Sequence, residues 1–538
     1  MIKGSPTWAR RLAACLLVLG TDMRLDSWTR GHLRRYARPD VSLLRIFIGI
    51  FMVAICQAEL KTNEGFSLDW SYAGVGAGEG RTAYRPSRRC NIQDYGAAMD
   101  GTSNDQDAIQ AAIDDCGRSG GGVVKMPSGT VRLEGKVRIG YSNVVLKGAG
   151  KDRTTVYIPH SLKYYDLAAG KDDDGKYSKS NAFLEIRGTR EPSDSEFLGT
   201  VILASPPGSN ELYMDDTMGI FPGQWIILMM SDPKYGPLEG SIVGRMYSNP
   251  DPNAQCNESC LQGLRGTKNM IRFMSRVESV VDENLITLTR KLPLGVEPNW
   301  RPRVYSILDD DRIQDSGIED LTVEFGWKRA KAHLNEDGHN GVILQETIFC
   351  WVKNVAVINA DLNILVRRSN FVTVTGVDAR ITKDRSYRRR TNRQGHIAFA
   401  IHDSSDIEVS DFNVEEKWYH DLSTRNSQLS VFRQGRGKDV NMDLHRFAPY
   451  MILYEDIDLG KGGRPFTSGG KDASGLPSAG YSTFSNIRTS TGESIALPGC
   501  KYGPNLNFFG EFKRRKNLRR CKGWTVSDSI NRGALYGN

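Results

Sequence analysis

Apolar residues recur at a constant interval in the second half of the chain. Two series repeat every 25 residues: Val372, Ile397, Leu422 and Phe447, and then Ile407, Phe432 and Ile457. An interval of this length is typical of a solenoid, in which each turn of the chain stacks on the previous turn. Adjacent strands in such a stack lie about 4.8 Å apart. Residues one turn apart in the sequence are therefore expected to be neighbours in space.

The segment that starts at Cys90 predicts how this coil begins. Ile109, Ala112, Ile113 and Cys116 form one apolar helix stripe, and the glycines of GRSGGG end the helix. Short strands follow in VVKMP, TVRLEGKVRI and NVVLKGAG, separated by Gly and Ser-Asn turns. A short helix followed by closely spaced strands is therefore expected at the start of the coil.

This segment resembles the opening of the pectate-lyase superfamily over roughly residues 90–160. The resemblance lies in YGAAMDGTSNDQDAIQAAIDDC, GGGVVKMPSGTVRL and SNVVLKGAG. It implies an all-β, right-handed parallel β-helix with a short N-terminal capping helix. The superfamily includes lyases, hydrolases, epimerases and non-enzymes, so the resemblance implies a fold rather than one activity.

The sequence divides into five predicted regions. An interruption of the coil, with alternating apolar runs such as RVESVVDENLITLTRKL, predicts an inserted antiparallel β subdomain. The regions are a targeting leader at 1–58, an N-terminal cap with the first coils at 59–194, the inserted subdomain at 195–305, the main β-helix with the candidate site at 306–495, and a C-terminal tail at 496–538.

The first region reads as a secretory signal. After Arg45 the apolar run IFIGIFMVAI precedes the small residues of CQA. The run is shorter than the about 20 residues that a membrane span needs. A secreted, extracellular protein is expected, and the alternative is a protein anchored in the membrane by residues 43–58. A membrane partner is expected only if the leader is retained.

The basic charge of the chain is concentrated in this leader. The chain has 71 Lys and Arg and 63 Asp and Glu, but the first 58 residues hold nine of the former and three of the latter. The remainder is nearly neutral, which argues against a nucleic-acid partner. A monomer is expected.

Cysteine usage agrees with an oxidising compartment. Seven cysteines remain after the leader, and in a secreted protein they favour disulfides with one spare thiol. The Asn-Glu-Ser sequence at Asn257 is a glycosylation acceptor. The predicted pairs are Cys90–Cys116, Cys256–Cys260 and Cys500–Cys521, with Cys350 buried in a strand.

Histidines mark the candidate site. His396, His420 and His445 are separated by 24 and 25 residues, which is close to the predicted turn length. They are expected to form a column on one side of the coil. The register is open, because a slip of one residue exchanges the two faces of a strand. One register turns His396, Asp421 and Arg446 outward together, and the other favours His420 and His445.

These residue types fit a lyase that acts on a uronic-acid polymer. Such a lyase needs a base, an acid for the leaving oxygen and a cation that neutralises the sugar carboxylate. The candidate roles are His445 as the base, His420 or Tyr450 as the acid, Asp421 or Asp443 as the group that orients a histidine, and Arg446 or Arg464 as the cation. The predicted substrate-binding residues are Arg464, Lys471, Trp418, Tyr419 and Tyr450, with an acidic polysaccharide as the partner.

Two other classes of function stay open. Hydrolysis needs two carboxylates, and Asp421, Asp439 and Asp443 are available. The sequences NMD, GHI and RGK are similar to motifs of the polygalacturonase-like β-helix hydrolases, although their order differs. The third class is a non-catalytic glycan-binding or cell-surface protein. No cofactor and no metal ligands are expected; the alternative is Ca²⁺ held by the KDDDGK run that begins at residue 171 or the DDDR run at 309–312.

Overall fold

The computed structural model describes residues 60–61, 67–76, 86–167, 177, 181–189, 196–307, 312–387, 392–513 and 521–529. The predicted leader lies outside these residues, and so do the KDDDGK run and the aspartates of the DDDR run. The chain divides into residues 1–57 and residues 58–538, and the described residues all belong to the second unit. Among them, no helix combines the length and the apolar character needed to cross a membrane.

Two parallel sheets form the walls of a right-handed β-helix, as predicted. The shorter sheet, sheet A, contains Val137–Ile139, Leu184–Arg187, Asn340–Gln345, Leu362–Arg367, Ile397–His402, His420–Arg425 and Met442–Leu444. The longer sheet, sheet B, contains Arg89–Asn91, Asp100–Asn104, Gly122–Lys125, Gly129–Arg132, Val144–Lys147, Thr154–Ile158, Ile313–Gln314, Gly317–Phe325, Thr347–Ile348, Trp351–Ile358, Asn370–Arg380, Ser405–Val414, Val431–Arg433, Arg436–Gly437, Leu453–Glu455, Thr483–Ser485, Asn507–Phe509 and Thr525–Ser527.

Sheet B bends at a corner made of stacked residues with positive φ. Asp320, Asn354, Gly376 and Asp411 have φ values of 58°, 54°, 63° and 47°, and each lies within one of four neighbouring long strands. The strand register places them above one another. Asn354 Nδ2 donates a hydrogen bond of 2.7 Å to Asp320 Oδ1. Gly, Asn and Asp tolerate this conformation best, so the sequence lets one strand form two sides of the coil.

The interior of the coil is filled by side chains that stack from turn to turn. Phe432, Tyr454, Phe484 and Phe508 form a ladder with ring centroids 5.2, 5.3 and 5.0 Å apart. Their rings are nearly parallel and each is fully buried. Neighbouring turns are thereby held in one register by contacts between aromatic rings.

The predicted constant period of 25 residues is wrong. Val372 pairs with Ile407, 35 residues later, whereas Val409 pairs with Phe432, 23 residues later. Ile397 lies in sheet A, so it does not stack on Val372. The reason is that the loops between strands differ in length, and strand pairing rather than a fixed count sets the register.

The capping helix and the disulfides are as predicted. The helix spans Gln106–Arg118 and buries the four residues of its apolar stripe. The bonds Cys90–Cys116, Cys256–Cys260 and Cys500–Cys521 are all present. Cys350 is buried, but it lies between strands Thr347–Ile348 and Trp351–Ile358 rather than within a strand.

The inserted subdomain contains an antiparallel sheet, sheet C, as expected. Its strands are Phe197–Thr200, Glu211–Tyr213, Trp225–Met230, Ile271–Val280, Leu285–Leu288 and Arg303–Ser306. Its core is continuous with residues of the coil such as Val431 and Leu453, so the subdomain packs on the outer face of sheet B. The prediction did not include its helices, Ile242–Met246 and Glu258–Leu261. 

Short elements complete the described structure. The small sheets pair Leu60–Lys61 with Ser67–Leu68 and Ile495–Ala496 with Phe512–Lys513. The 3₁₀ helices are Ile92–Tyr95, Leu238–Gly240, Pro252–Ala254, Pro298–Trp300, Asp472–Ser474 and Cys500–Tyr502.

The first and last long stretches of the described residues in this unit contact the coil. Asn507–Phe509 and Thr525–Ser527 continue sheet B, so the coil does not stop at residue 495 as expected. At the other end, residues 67–76 cross later turns. Trp70 Nε1 donates to Met451 O at 2.8 Å, and the amide of Val75 donates to Thr373 Oγ1 at 2.8 Å.

We expect Phe484→Ala to lower the free energy of unfolding by about 3–5 kcal/mol, because it removes one ring from the middle of the aromatic ladder. Phe221→Ala is the matched control, since Phe221 is 59% exposed. The check is thermal unfolding at one fixed scan rate. Equal melting temperatures for the two variants would show that the ladder does not hold the turns together.

We also expect one pH-dependent contribution from sheet B. Burial raises the pKa of Glu455 to about 7, assisted by Asp456 and opposed by Arg433. A raised carboxyl pKa stabilises the fold at low pH, and this stabilisation is lost as pH rises through about 7. Glu455→Gln should therefore remove up to about 3 kcal/mol of the stability change between pH 5 and pH 8. Identical pH profiles for Glu455→Gln and wild type would contradict the assignment.

Candidate functional site

Three predicted histidines meet beside sheet A, two at the starts of their strands and one after the end of its strand. His396 directly precedes Ile397–His402, His420 begins His420–Arg425, and His445 directly follows Met442–Leu444. The His396 and His420 rings have centroids 5.3 Å apart, and those of His420 and His445 are 4.5 Å apart. The structure thus brings the three imidazoles together, although the turns between them do not follow a constant period.

Asp443 is the buried centre of this cluster. His445 Nδ1 is hydrogen-bonded to Asp443 Oδ2 at 2.8 Å, and His420 Nδ1 lies 2.6 Å from the same oxygen. The amide of Gly469 donates to Asp443 Oδ1 at 2.8 Å. Burial alone would raise the pKa of Asp443, but His445 and His420 outweigh burial and hold this pKa well below its usual range. The carboxylate is therefore ionised and orients both rings.

Gly469 allows the loop after Arg464 to close directly over the rings. A Cβ atom at this position would lie 2.2 Å from His445 Cε1 and 2.7 Å from His420 Cε1. No side chain fits in that space. The glycine at this position therefore permits the main chain to donate its amide to Asp443.

A loop at residues 331–339 supplies two further members that the sequence analysis missed. His333 Nε2 lies 3.3 Å from His420 Nε2, and its ring stacks on Tyr419 with centroids 4.4 Å apart. Glu336 is buried, with Oε2 3.6 Å from His396 Nδ1. Both residues come from a loop rather than a strand, so the periodic pattern could not indicate them. The available signal was the density of His and acidic residues in KAHLNEDGH.

A buried ion-pair network holds this loop against sheet A. Asp361 Oδ2 contacts His339 Nδ1 at 3.0 Å, and Arg385 Nη2 donates to Asp361 Oδ1 at 2.9 Å. Burial would raise the pKa of Asp361, but His339 and Arg385 lower it below its usual range. Arg385 also donates to the backbone oxygens of Ala360 and Gln394. The network therefore fixes the loop that carries His333.

Asp421 and Arg464 do not join the histidines. Asp421 is fully buried and forms an ion pair with Arg464, and it accepts hydrogen bonds of 2.9 Å from the amides of Trp418 and Asn441. Burial raises the pKa of Asp421 to about 6, against the effect of Arg464. Arg464 Nε also donates to Asp439 O at 2.9 Å. The prediction that Arg464 holds a substrate carboxylate is wrong, because the glycine-rich turn folds it back onto Asp421.

Two predicted aromatic contacts are also wrong. Trp418 is completely buried in the core of the coil, where Nε1 donates to Ala360 O at 3.3 Å. Tyr450 is 1% exposed and packs in the core that the coil shares with the inserted subdomain. Neither ring can contact a polysaccharide. Tyr419 is half-buried and lies beside the cluster, so its predicted role stays open.

The remaining predicted cations lie beside the cluster rather than within it. Arg446 Nη2 forms an ion pair of 2.9 Å with Asp472, and Nη1 donates to Gly475 O at 2.6 Å. Lys471 is exposed two residues after Gly469. Their roles toward a substrate remain predictions.

Two sets of side chains within the described residues have the proximity that a metal ion requires. One set is His333, His396 and His420, and the other is His420, Asp443 and His445. The ligand atoms within each set lie within 4.8 Å of one another.

Comparison with known proteins finds relatives of a short part of the chain. Residues 89–183 match the family described as rhamnogalacturonase A/epimerase, pectate lyase-like. Alginate lyase 7 of Azotobacter vinelandii is 44% identical over 74 residues, which are 13% of this chain and 9% of that protein. Mannuronan C5-epimerase AlgE5 of the same organism is 42% identical over 74 residues, 13% of this chain and 7% of that protein. The chain thus matches less than a tenth of the length of these curated relatives.

Solved structures with a similar course of the chain include a phage tailspike and a bacterial enzyme. The tailspike gp61 of Pseudomonas phage phi297 has a TM-score of 0.47 at 14% identity, covering 80% of this chain and 64% of that chain. The exopolygalacturonase of Thermotoga maritima has a TM-score of 0.36 at 11% identity, covering 84% of this chain and 88% of that chain.

The matched segment and the winding of the sheets together define the class. The opening segment, residues 89–183, is similar to the pectate lyase-like family, and the chain that follows winds as a parallel β-helix, as the resemblance of this segment predicts.

We expect Asp443→Asn to destabilise the protein by about 3–5 kcal/mol, since it removes the buried charge that orients His420 and His445. Asp472→Asn is the matched control, because Asp472 is 97% exposed and its ion pair with Arg446 is worth at most about 1 kcal/mol. Thermal unfolding of both variants at neutral pH is the measurement. A melting temperature of Asp443→Asn as high as that of Asp472→Asn would contradict the central role of Asp443.

Proposed function

We propose that the protein is a polysaccharide lyase that cleaves a uronic-acid-containing polymer by β-elimination. The observation that carries the proposal is a partly exposed imidazole, His445, whose inner nitrogen is bonded to a buried carboxylate. The His445 side chain is 19% exposed, whereas Asp443 is fully buried. This pairing presents the outer nitrogen of His445 to a ligand on the outer face of the coil.

In the proposed reaction His445 removes the proton from C5 of the uronic acid. The electron pair of that bond forms the C4–C5 double bond, and the bond from C4 to the glycosidic oxygen breaks. The leaving oxygen then takes up a proton. Asp443 holds His445 in the tautomer that accepts the proton at Nε2, and it stabilises the imidazolium that results.

Tyr419 is the proposed donor of the second proton. Its predicted alternatives are enclosed: Tyr450 is buried, and His420 lies between Asp443 and His333. Tyr419 is half-buried and stacks on His333 at the side of the cluster. The cations beside the cluster, Arg446 and Lys471, are proposed to bind the substrate carboxylate. Lys471 is exposed.

The carboxylates argue against hydrolysis. A glycoside hydrolase needs two carboxyl groups that face the substrate. Asp443 is committed to the histidines and Asp421 to Arg464, while Asp439 contacts Lys417 at 2.7 Å and the amide of Gly463. Each of the three aspartates considered for hydrolysis is thus engaged by a group of the protein.

The named relatives support the same substrate class. Alginate lyase 7 and the mannuronan C5-epimerase are named for action on alginate and on mannuronan, which are polyuronates. Elimination and epimerisation at C5 both begin with removal of the C5 proton. We accordingly propose an acidic polysaccharide as the partner, a monomer as the working form and the extracellular space as the location.

The test is a panel of polyuronates and neutral polysaccharides incubated with the purified protein. Wild type should generate ultraviolet absorbance from unsaturated uronide ends on a polyuronate, together with an equal number of reducing ends. His445→Gln should lower kcat by about 10²–10⁴-fold, since it removes the base. His160→Gln is the matched control, because His160 stacks on Tyr164 away from the cluster.

Other outcomes would reject the proposal. New reducing ends without ultraviolet absorbance would indicate a hydrolase, and solvent deuterium at C5 without cleavage would indicate an epimerase. Retention on an immobilised glycan without any product would indicate a binding protein. An unchanged kcat for His445→Gln would remove His445 from the reaction.

A further inference from the structure

We propose that His333, His396 and His420 bind one divalent transition-metal ion, with Zn²⁺ as the ion that best fits three imidazole ligands. The sequence analysis expected no metal ligands, and it included only two of these histidines, His396 and His420. The third comes from the loop at 331–339, which the fold places over the edge of sheet A.

The spacing of the nitrogen atoms supports the site. His333 Nε2 and His420 Nε2 are 3.3 Å apart, and the ligand atoms of all three residues lie within 4.8 Å of one another. In a tetrahedral zinc site with bonds of 2.0–2.1 Å, two nitrogen ligands are separated by about 3.3 Å. Two of the three imidazoles therefore already have the separation that a shared Zn²⁺ requires, and the third is within reach.

Asp443 lies behind His420, beside the ring nitrogen that does not face His333. His420 Nδ1 lies 2.6 Å from the Asp443 carboxylate, and Nε2 of the same ring lies 3.3 Å from His333 Nε2. A carboxylate behind a metal-binding histidine is the usual outer partner of a zinc site. The arrangement at His420 has this form without any adjustment of the side chain.

The surroundings of the three imidazoles favour the same conclusion. Two buried carboxylates flank the three imidazoles: Asp443 beside His420 and Glu336 beside His396, with Glu336 Oε2 3.6 Å from His396 Nδ1. Carboxylates behind two of the three imidazoles are the kind of outer partner that zinc-binding histidines use.

The second set of candidate ligands is less suitable. His420, Asp443 and His445 use their facing atoms on each other, since both histidines direct Nδ1 at Asp443 Oδ2. A metal there would have to replace these contacts. The donor set of the first site also excludes Ca²⁺, which takes oxygen ligands, and favours ions such as Zn²⁺ that accept imidazole.

The site is accessible from one side. His396 and His420 are buried, whereas His333 is half-buried and stacks on Tyr419. Three protein ligands leave a fourth position of a tetrahedral ion for a water or substrate oxygen. A role for that position in holding the uronate carboxylate rests on the proposed function, but metal binding itself does not.

The test is metal content and affinity of the full chain without any polysaccharide. After chelation and dialysis, Zn²⁺ should rebind at about one ion per chain by plasma mass spectrometry and calorimetry, and it should raise the melting temperature. His333→Ala should weaken Zn²⁺ binding by at least about 100-fold, since it removes a direct ligand. His160→Ala, which removes a histidine outside the cluster, should bind Zn²⁺ as wild type does.

Cobalt provides a readout that needs no variant. Co²⁺ bound to wild type should give the intense visible absorption of a tetrahedral site with nitrogen ligands. The proposal is overturned if wild type rebinds no Zn²⁺, if His333→Ala binds as tightly as His160→Ala, or if Co²⁺ gives only the weak spectrum of the aqueous ion. In those cases the contact between His333 and His420 is an N–H···N hydrogen bond.

Metal binding and lyase activity can fail independently. A chain that binds Zn²⁺ but forms no unsaturated uronide keeps the metal site and loses the proposed function. A chain that forms unsaturated uronide after complete removal of metal keeps the lyase and confines the metal, if bound, to a structural role.

Discussion

The corner of stacked residues with positive φ is the constraint on which the rest of this structure depends. Asp320, Asn354, Gly376 and Asp411 occupy one line along the coil, and each turns its strand in the same way. A corner one residue earlier or later would shift the following strand by one residue, and its inward-facing side chains would then face outward. The aromatic ladder requires this register, because only the stacking of turns brings its rings together.

The candidate site adds charge to this frame. A fully buried carboxylate, Asp443, is compensated by imidazoles on both sides and by the amide of Gly469. The other aspartate of the region, Asp421, is compensated by Arg464 in a separate ion pair. Two adjacent turns thus carry two buried carboxylates with different partners. Asp443 contacts the histidines of the candidate site, whereas Asp421 holds the loop that carries Arg464.

The fold could be predicted from the sequence because its signals are local. The apolar stripe of Gln106–Arg118 and the glycine-bounded strands after it indicate a capped parallel coil without knowledge of any distant contact. The meeting of His396 and His420 was also predictable, since both lie at the start of neighbouring strands of sheet A, whereas His445 follows the end of its strand and meets them through Asp443. The constant period was not correct, because loop lengths vary and do not affect how strands pair.

The errors at the site have one physical origin. Arg464, Trp418 and Tyr450 have suitable chemistry, but exposure depends on which way a turn folds, and a sequence pattern does not contain this information. His333 and Glu336 were missed for the opposite reason, since a long loop can return to any turn of the coil. The histidines at or next to strand ends could be assigned to the site from their spacing, whereas residues on the long loop could not.

The strap formed by residues 67–76 has a consequence for biosynthesis. Its partners, Thr373 and Met451, are 298 and 381 positions later in the chain. The ribosome makes the strap long before it makes the surface that receives it, so this segment stays undocked while hundreds of residues emerge. Its docking therefore reports that translation has passed Met451 and that the intervening turns have assembled.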